Sequence, residues 1–420
     1  MIGVAVGLGN VWRFPYMMGS YGGSAFLVVY LIFTVAFAIP ALMAEIALGR
    51  ETEGGTVVAF VKSFGKKWGR VVGFALMTTI LIATSYYAVV ISNVVYTAGY
   101  SIYAGFKGDN VITHQEGLAN GPLQYGIAAL LLFAALFVIH KGLKKGIEWL
   151  SKLFVPFFLL VIIYLIYYVF TLPGASEKLL EFLQPDLGAL TIQQTFAALG
   201  QSFYSVGLGG TFIVVYGRYL KKNESIPKIA AYTCLGDVGA SLLVSLFLVP
   251  AILVFGLDMS SGPGLIFSTL PQLFGQMPGG QFVGSLFMVA LSFVAFLSMV
   301  AGYEVFTSSV DNEVFPKIGR KKIILAVGVV QLILIAPTTF YPALIGILDM
   351  IFGSGMQVLG SILSIIGLVW GLGKLTAIRQ IFTNSADSKA AALSITWLKW
   401  VMPIVLILVL AGYVYGIVSN

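Results

Sequence analysis

Long apolar stretches recur along the whole chain and restrict its fold more than any other sequence feature. Most are long enough to cross the hydrocarbon core of a bilayer as helices, the structure that satisfies its own backbone hydrogen bonds there. Charged residues make up only 10% of the chain, against about a quarter in soluble domains. The sequence therefore predicts an all-α polytopic membrane protein with eleven transmembrane helices. The stretches lie at about 1–20, 24–48, 71–103, 122–140, 148–170, 195–217, 229–256, 282–310, 322–340, 343–372 and 398–418.

Basic residues indicate how these stretches are oriented. If the stretches alternate in direction, 21 of the 24 lysine and arginine residues fall on one side, and only Arg13, Lys107 and Lys178 lie elsewhere. The positive-inside rule makes the basic side cytoplasmic. We therefore expect a cell-membrane protein with a cytoplasmic N-terminus and an extracytoplasmic C-terminus. The net charge of +7 then reflects topology, so we expect the lipid bilayer as a partner and no nucleic acid.

Motifs that mark enzymes are missing from the sequence. It has no cluster of His, Cys, Asp and Glu with metal-ligand spacing, no P-loop and no nucleophile elbow. Its single cysteine, Cys234, excludes an internal disulfide. The sequence therefore predicts a protein that is not an enzyme.

The first apolar stretch is interrupted at Gly7-Leu8-Gly9-Asn10 and continues to Arg13. Two glycines around one residue weaken a helix. Within a bilayer a broken backbone is tolerated only where it faces protein or a water-filled cavity, and polar side chains there need partners. This favours a binding site, although a glycine-rich packing face beginning at Gly3 is the alternative.

The residues before this interruption are too few for half a membrane crossing. Six residues precede Gly7 and would span about 9 Å as a helix, against roughly 15 Å for half the hydrocarbon core. We therefore expect the start of the first helix and a cytoplasmic segment before it to be missing from this sequence.

The sixth apolar stretch carries a second interruption, at Gly207, Gly209 and Gly210. The two interruptions are equivalent if the chain is a single transporter domain, 1–420, with repeats at about 1–170 and 195–372. Each repeat then has five helices, so the second is inverted, and the helix at about 398–418 is additional. Paired glycine-interrupted helices are the best sequence indication of a transporter's central site. Two independent kinks are the alternative.

Several segments resemble the neurotransmitter:sodium symporter family. Residues 5–16, AVGLGNVWRFPY, are similar to its first-helix motif and residues 200–209 to its sixth helix, while 145–148, 172–175 and 184–186 resemble connecting segments. The resemblance implies the leucine-transporter fold of a prokaryotic, eleven-helix member. It also implies sodium-coupled amino-acid symport by alternating access. The sequence makes no prediction of oligomeric state.

The resemblance also implies a substrate site. Backbone amides at Leu8 and Gly9 and the Tyr87 hydroxyl would hold the substrate carboxylate, and Tyr87 and Tyr204 would cover the substrate. Small residues in the side-chain pocket leave space for a bulky apolar or aromatic amino acid, since voids cost stability; neighbouring aromatic rings filling that space are the alternative. The implied substrate-binding residues are Ala5, Leu8, Gly9, Ala83, Tyr87, Tyr204, Ser205, Gly207, Gly210, Ser298 and Gly302.

Two sodium sites follow from the same resemblance. The first would comprise Ala5, Asn10, Ser205 and Asp237. The second would comprise Gly3, Val6, Val294 and Ser298. Leu297 stands where the family usually has a threonine or aspartate, so one or two sodium ions are expected. An ionised Asp237 would supply the negative charge that animal members take from chloride, so we expect no chloride requirement.

Charged residues at both ends of the site are implied as gates. Arg13 would face Asp349 across an external vestibule with Gln201 nearby, and Asp311 would belong to the cytoplasmic gate. Two alternatives to a sodium symporter stay open. One is a relative driven by protons or a single sodium ion, and the other is a non-transporting amino-acid sensor or remnant of the same fold. A channel is disfavoured because neither an acidic ring nor a carbonyl-filter motif is present.

Overall fold

The computed structural model describes residues 7–184, 190–262, 264–382 and 389–418, and every regular element in these ranges is a helix. Helix α1 combines a π-helical turn, Gly9–Arg13, with Phe14–Ser20, and several later helices contain similar π-helical turns. The helices that follow are α2 (Ser24–Thr52), α3 (Thr56–Tyr103), α4 (Asn110–Ala119), α5 (Gly121–His140), α6 (Lys145–Val169), α7 (Ala175–Phe182), α8 (Ile192–Ser205), α9 (Phe212–Gly217), α10 (Ile226–Val254), α11 (Leu265–Thr269 with Leu270–Gln276), α12 (Gly280–Val314), α13 (Arg320–Phe340), α14 (Ala343–Gly371), α15 (Lys374–Ile381) and α16 (Lys389–Thr396, Trp397–Val401 and Met402–Val418).

Nine helices in the described part of the chain are long and apolar enough to cross a membrane. They are α2, α3, α5, α6, α10, α12, α13, α14 and α16. The prediction of an all-α polytopic membrane protein is confirmed. The first and sixth predicted spans are not among the nine, because α1 is short in its described part and the sixth span is divided into α8 and α9.

Glycine makes the division of the sixth span possible. Helix α8 ends at Ser205 and α9 begins at Phe212. Between them Gly207 has φ 69° and Gly210 has φ 73°, a region that residues with a Cβ rarely occupy. The predicted interruption therefore exists as two short helices joined by a non-helical glycine segment.

Helix α12 lies near the centre of the bundle and packs along α3, α5 and α6. Its Phe287 and Tyr303 are among the largest fully buried side chains. Helix α1 packs against α8 and α10, and α9 packs against α2. Helix α9 also contacts α3 and α12, and α8 contacts α14. The two interrupted segments therefore meet among α2, α3, α10, α12 and α14.

Candidate binding site between the interrupted helices

A cavity of about 170 Å³ lies where the start of α1 meets the segment between α8 and α9. Helices α3, α12 and α14 complete its walls. It is lined by Gly7, Leu8, Gly9, Ile80, Ala83, Thr84, Tyr86, Tyr87, Tyr204, Ser205, Val206, Gly207, Phe212, Ile213, Tyr216, Thr233, Ser298, Asp349, Gly353 and Gln357. The cavity therefore combines main-chain groups at two helix ends with apolar and hydroxyl side chains.

One end of the cavity is suited to a carboxylate. Gly7, Leu8 and Gly9 line it where α1 begins. Amides in a first helical turn have no main-chain partner within the helix, and here the Gly7 N–H donates to the side chain of Asn10. A Cβ added at Gly7 would lie 2.8 Å from the Ser298 hydroxyl and 3.8 Å from the Tyr87 hydroxyl. Two hydroxyl groups therefore face the start of α1 at close range.

The remaining wall is mostly apolar. It includes Ile80 and Ala83 of α3, with Phe212 and Ile213 of α9. Aromatic and aliphatic groups of this kind are typical of sites that enclose an apolar ligand side chain.

The structure places some of the predicted pocket residues elsewhere. Ala83, Gly207 and Ser298 line the cavity, whereas Gly210 and Gly302 do not. A Cβ added at Gly210 would meet the Gly360 carbonyl and Ser364, and one at Gly302 would meet Thr84 and Phe212. Both glycines instead allow close packing between helices. Ala5 lies outside the described residues.

An oxygen-rich cluster adjoins the cavity around the side-chain amide of Asn10. Its nitrogen lies 2.6 Å from Oδ1 of Asp237, 2.8 Å from the Ser241 hydroxyl, 3.2 Å from the Asp237 carbonyl and 3.5 Å from the Ser205 hydroxyl. All four residues are buried. An amide nitrogen carries two hydrogens and cannot donate to four oxygens at once. The cluster therefore offers more acceptor oxygens than this donor uses, which suits a hard cation.

The orientation of Asn10 is set by the first interruption. Its Oδ1 accepts a hydrogen bond of 2.8 Å from the Gly7 N–H. The amide nitrogen consequently points toward Asp237. Three of the four residues of the first predicted sodium site, Asn10, Ser205 and Asp237, are thus brought together.

The second predicted sodium site is described only in part, because Gly3 and Val6 lie outside the described residues. Ser298 donates a hydrogen bond of 3.3 Å to the Val294 carbonyl. Leu297 is fully buried next to Ser298. The described half of this site therefore contains one hydroxyl, one carbonyl and an apolar side chain.

The residues predicted for the outer gate have separate partners. The guanidinium carbon of Arg13 lies 3.7 Å above the centre of the Tyr204 ring, and Asp349 accepts a hydrogen bond of 3.0 Å from the Tyr86 hydroxyl. Arg13 and Asp349 form no ion pair within the described part of the chain. Gln201, on α8, is fully buried. Arg13 and Tyr204 also line a larger cavity of about 1010 Å³.

Charged residues also meet near the C-terminal end of α12. Arg320, at the start of α13, contacts Glu304 at 2.6 Å and Asp311 at 3.8 Å. Glu304 is buried. Asp311, the predicted partner for an inner gate, is thus held in a group of three charges between α12 and α13.

Sequence reasoning overlooked three residues of the site. Ser241 follows Asp237 by one helical turn, and that spacing places both on one face of α10. Glu45 is a fully buried carboxylate whose Oε1 accepts a hydrogen bond of 3.0 Å from the Gly209 N–H. As an acid within an apolar stretch, it carried a signal that could have been used. Tyr86 gave no such signal, because only the tertiary structure brings Asp349 to it.

The chain is similar in sequence to known proteins over most of its length. A family model described as the sodium:neurotransmitter symporter family matches residues 1–109 and 104–419. An uncharacterised sodium-dependent transporter of Bacillus subtilis, YhdH, is 32% identical over 316 residues, which cover 74% of this chain and 70% of the relative. A second, MJ1319 of Methanocaldococcus jannaschii, is 30% identical over 450 aligned positions that cover 100% of this chain and 88% of the relative.

A solved structure shows the same arrangement of helices. The crystal structure of MhsT in complex with L-phenylalanine aligns with a TM-score of 0.87 and 30% sequence identity. The alignment covers 98% of this chain and 96% of MhsT. The predicted leucine-transporter fold is therefore confirmed over nearly the whole chain.

Proposed function

Because the chain belongs to the sodium:neurotransmitter symporter family, we propose that it imports bulky hydrophobic or aromatic amino acids together with sodium and without a chloride requirement. Members of this family are sodium-coupled transporters and not enzymes. The proposal treats 1–420 as one transporter domain in a cell membrane, with its N-terminus cytoplasmic and its C-terminus outside. Family membership by itself does not fix the substrate class, the independence from chloride or the orientation in the membrane, and we propose these three properties for this chain.

The observation that carries this proposal is that Ser205 belongs to both the cavity and the oxygen cluster. It lines the cavity, and its hydroxyl lies 3.5 Å from the Asn10 amide nitrogen. A cation bound by Asn10, Ser205 and Asp237 would therefore adjoin the substrate. Its charge would stabilise a nearby substrate carboxylate in this low-dielectric interior, so that each ligand favours binding of the other.

The Asn10 side chain supplies a physical link between ion binding and the first interruption. Its oxygen accepts from the Gly7 N–H at 2.8 Å, whereas a cation requires oxygen ligands. Turning the amide toward the cation would release the Gly7 N–H at the edge of the cavity. Sodium binding would thus free a main-chain donor where the substrate carboxylate binds.

The apolar wall supports the proposed substrate class. Ala83 is small, and the rings of Phe212 and Tyr204 line the same cavity. The similar protein MhsT was solved with L-phenylalanine bound. A bulky apolar side chain would fill the space beside Ala83 and gain about 25 cal/mol for each Å² of apolar surface removed from water.

Alternating access would use the charged groups at the two ends of the site. On the outer side, Arg13 packs on Tyr204, which separates the small cavity from the larger one. On the inner side, Arg320 bridges Glu304 and Asp311. Opening one side would require its contacts to break while the other side stays closed. Ion pairs taken from water are near break-even in energy, so such contacts can be remade in each cycle.

Uptake into proteoliposomes tests this function. Radiolabelled tryptophan and leucine would be offered with and without an inward sodium gradient, with chloride or gluconate as the anion. We expect sodium-driven accumulation of both, equal in the two anions and lost in Asn10→Ala. Ser245→Ala, a buried change further along α10, is the matched control. Saturable binding without accumulation would favour the sensor, and no binding would overturn the substrate site.

A variant of this function is favoured by one observation. Leu297 is buried and offers no oxygen beside Ser298, so coupling to a single sodium ion is the second candidate. The dependence of uptake on sodium concentration distinguishes one ion from two, and uptake driven by acid pH without sodium would indicate proton coupling instead.

A further inference from the structure

A group of basic residues lies far from the cavity, near the beginning of α3. The chain turns at Gly65, where φ is 79° and ψ is 171°, and the helix continues with Lys66, Lys67, Trp68 and Arg70. These four side chains are exposed, Trp68 to 66%. The three cations form no ion pair with any described residue. This turn therefore presents concentrated positive charge beside an exposed indole.

A second group of similar composition lies where α14 ends and α16 passes it. The ammonium nitrogen of Lys399 is 4.3 Å from the ring centre of Trp370 and 5.4 Å from that of Trp400. The two indoles meet edge to face at 4.9 Å, and both are about half exposed. Cation–π contacts hold the ammonium in place but supply no negative charge. Lys399 has no acidic partner among the described residues.

The backbone segments that carry the two groups adjoin each other. A Cβ added at Gly371 would lie 2.4 Å from the Ser63 carbonyl oxygen and 3.1 Å from the Ser63 Cα. The end of α14 therefore runs directly against the backbone that precedes the turn at Gly65. We call the combined surface the basic-aromatic patch. It consists of Lys66, Lys67, Trp68, Arg70, Trp370, Lys399 and Trp400.

The patch lies next to helix faces suited to lipid. Beyond the cations, α3 exposes Val71 and Phe74, and beyond the indoles, α16 exposes Ile404 and Leu408. Apolar side chains exposed on membrane-crossing helices face acyl chains, so the patch lies where acyl chains give way to headgroups. Tryptophan is enriched at that level. Clusters of lysine and arginine beside membrane helices attract anionic lipid headgroups.

We propose that the basic-aromatic patch binds the phosphate headgroup of an anionic phospholipid such as phosphatidylglycerol. The cations of the α3 turn and Lys399 contact the phosphodiester, the indoles pack beside the glycerol, and the acyl chains lie along α3 and α16. Because α3 and α14 both line the substrate cavity, the lipid holds together two of its walls. The proposal depends on the membrane fold and not on which amino acid is transported.

Tryptophan quenching in lipid nanodiscs tests the site. In one sample, brominated phosphatidylglycerol is the probe and the remaining lipid is phosphatidylcholine. In the other, brominated phosphatidylcholine is present at the same mole fraction and the remaining lipid is phosphatidylglycerol. Trp149, exposed on α6, is replaced by phenylalanine in every sample to lower the background. We expect the brominated anionic lipid to quench more strongly, and this preference to weaken in 0.5 M salt because the charges are screened.

Matched variants test whether the basic-aromatic patch causes the stronger quenching by the anionic lipid. We expect the preference for the anionic lipid to fall at least 10-fold in the triple variant Lys66→Gln, Lys67→Gln and Arg70→Gln, since each cation near an anionic surface contributes about 5-fold in affinity. Lys317→Gln, Lys321→Gln and Lys322→Gln together remove the same charge from exposed positions around the start of α13 and are expected to leave it unchanged. If the first triple variant does not fold, Lys399→Gln alone is expected to lower the preference about 5-fold.

Three results would overturn the proposal. One is equal quenching by the two brominated lipids in the protein that carries only Trp149→Phe. Another is an equal loss in both triple variants, which would show a general effect of net charge. The third is loss of the preference when 20 mM inorganic phosphate is added at constant ionic strength, which would show that the patch binds a free anion.

Discussion

The side-chain nitrogen of Asn10 lies 2.6 Å from Oδ1 of Asp237, although 227 positions separate the two residues in the chain. This contact joins the first interrupted helix to α10. The Ser205 hydroxyl, within 3.5 Å of the same nitrogen, adds the end of α8. Three helices thus converge on one small group of oxygens, which makes the group sensitive to any movement of the interrupted segments.

Asp237→Asn removes the carboxylate of this cluster and keeps its shape. We expect the sodium concentration for half-maximal uptake to rise about 10-fold or more, because contacts to a charged group contribute about 1.5–3 kcal/mol. Uptake measured over a sodium series, with chloride or gluconate, checks this. Chloride is expected to restore part of the activity of the variant and to leave the unaltered protein unaffected. Half-saturation equal to that of Ser245→Ala would contradict the assignment.

Ala83→Leu reduces the space for the substrate side chain without altering the oxygen cluster. Overfilling a packed site costs about 1–3 kcal/mol, so we expect the kcat/KM ratio of tryptophan to alanine to fall about 10-fold. Competition uptake with the two labelled amino acids measures this ratio. The sodium half-saturation of the same variant is the internal control. An unchanged ratio would show that the substrate side chain lies elsewhere.

Tyr204 variants test the contact that separates the two cavities. Arg13 lies 3.7 Å from the Tyr204 ring centre, and a cation–π contact contributes about 0.5–1 kcal/mol when exposed and about 2 kcal/mol or more when desolvated. We expect Tyr204→Leu to release bound substrate several-fold faster than the unaltered protein, while the release rate of Tyr204→Phe, which keeps the ring, stays within about twofold. Dissociation of labelled substrate from detergent-solubilised protein measures the rate. Equal rates in both variants would show that the ring contact does not hold the outer side closed.

His114 makes stability depend on pH at the edge of the bundle. It lies on α4 among the rings of Tyr96, Tyr100 and Phe106, with one ring nitrogen 2.9 Å from the Thr97 hydroxyl. Burial lowers the pKa of His114 from 6.5 to about 4. The unfolded chain takes up a proton below about pH 6.5 that the folded protein excludes until about pH 4, so the free energy of unfolding falls as pH decreases through this interval.

Thermal unfolding at pH 7.5, 5.5 and 4.5 measures this dependence. We expect His114→Gln to lose less stability on acidification than the unaltered protein. The exposed His140 supplies the control, since His140→Gln should keep the original pH dependence. Equal acid sensitivity in all three proteins would contradict the role of His114.

Leu297→Thr tests the number of sodium ions. Threonine would add a hydroxyl beside Ser298 and the Val294 carbonyl, which are oxygen ligands that a hard cation prefers. We expect the Hill coefficient of sodium-dependent uptake to rise from about 1 in the unaltered protein toward 2. Leu297→Val, which is similar in size to threonine and has no hydroxyl, is the control. A coefficient near 2 before any substitution would overturn single-ion coupling.

Much of the architecture was accessible from local sequence. Apolar length predicted the membrane helices, and the glycines at 207, 209 and 210 predicted the division between α8 and α9, because backbone conformation there depends on residues that lie together in the chain. The residues that line the cavity were less accessible. Gly210 resembles Gly207 in sequence, yet only Gly207 lines the cavity, because the Gly360 carbonyl and Ser364 cover the face of Gly210.

The sequence by itself determined the class of protein, the positions of the apolar spans and the interruption at the sixth span, because hydrophobic length and glycine content act locally. Only the tertiary structure decided which polar groups meet. Asn10 donates a hydrogen bond to Asp237, Glu45 accepts one from the Gly209 N–H, and Tyr86 donates one to Asp349. Polar groups removed from water need hydrogen-bond partners, and the packing of helices distant in sequence selects those partners.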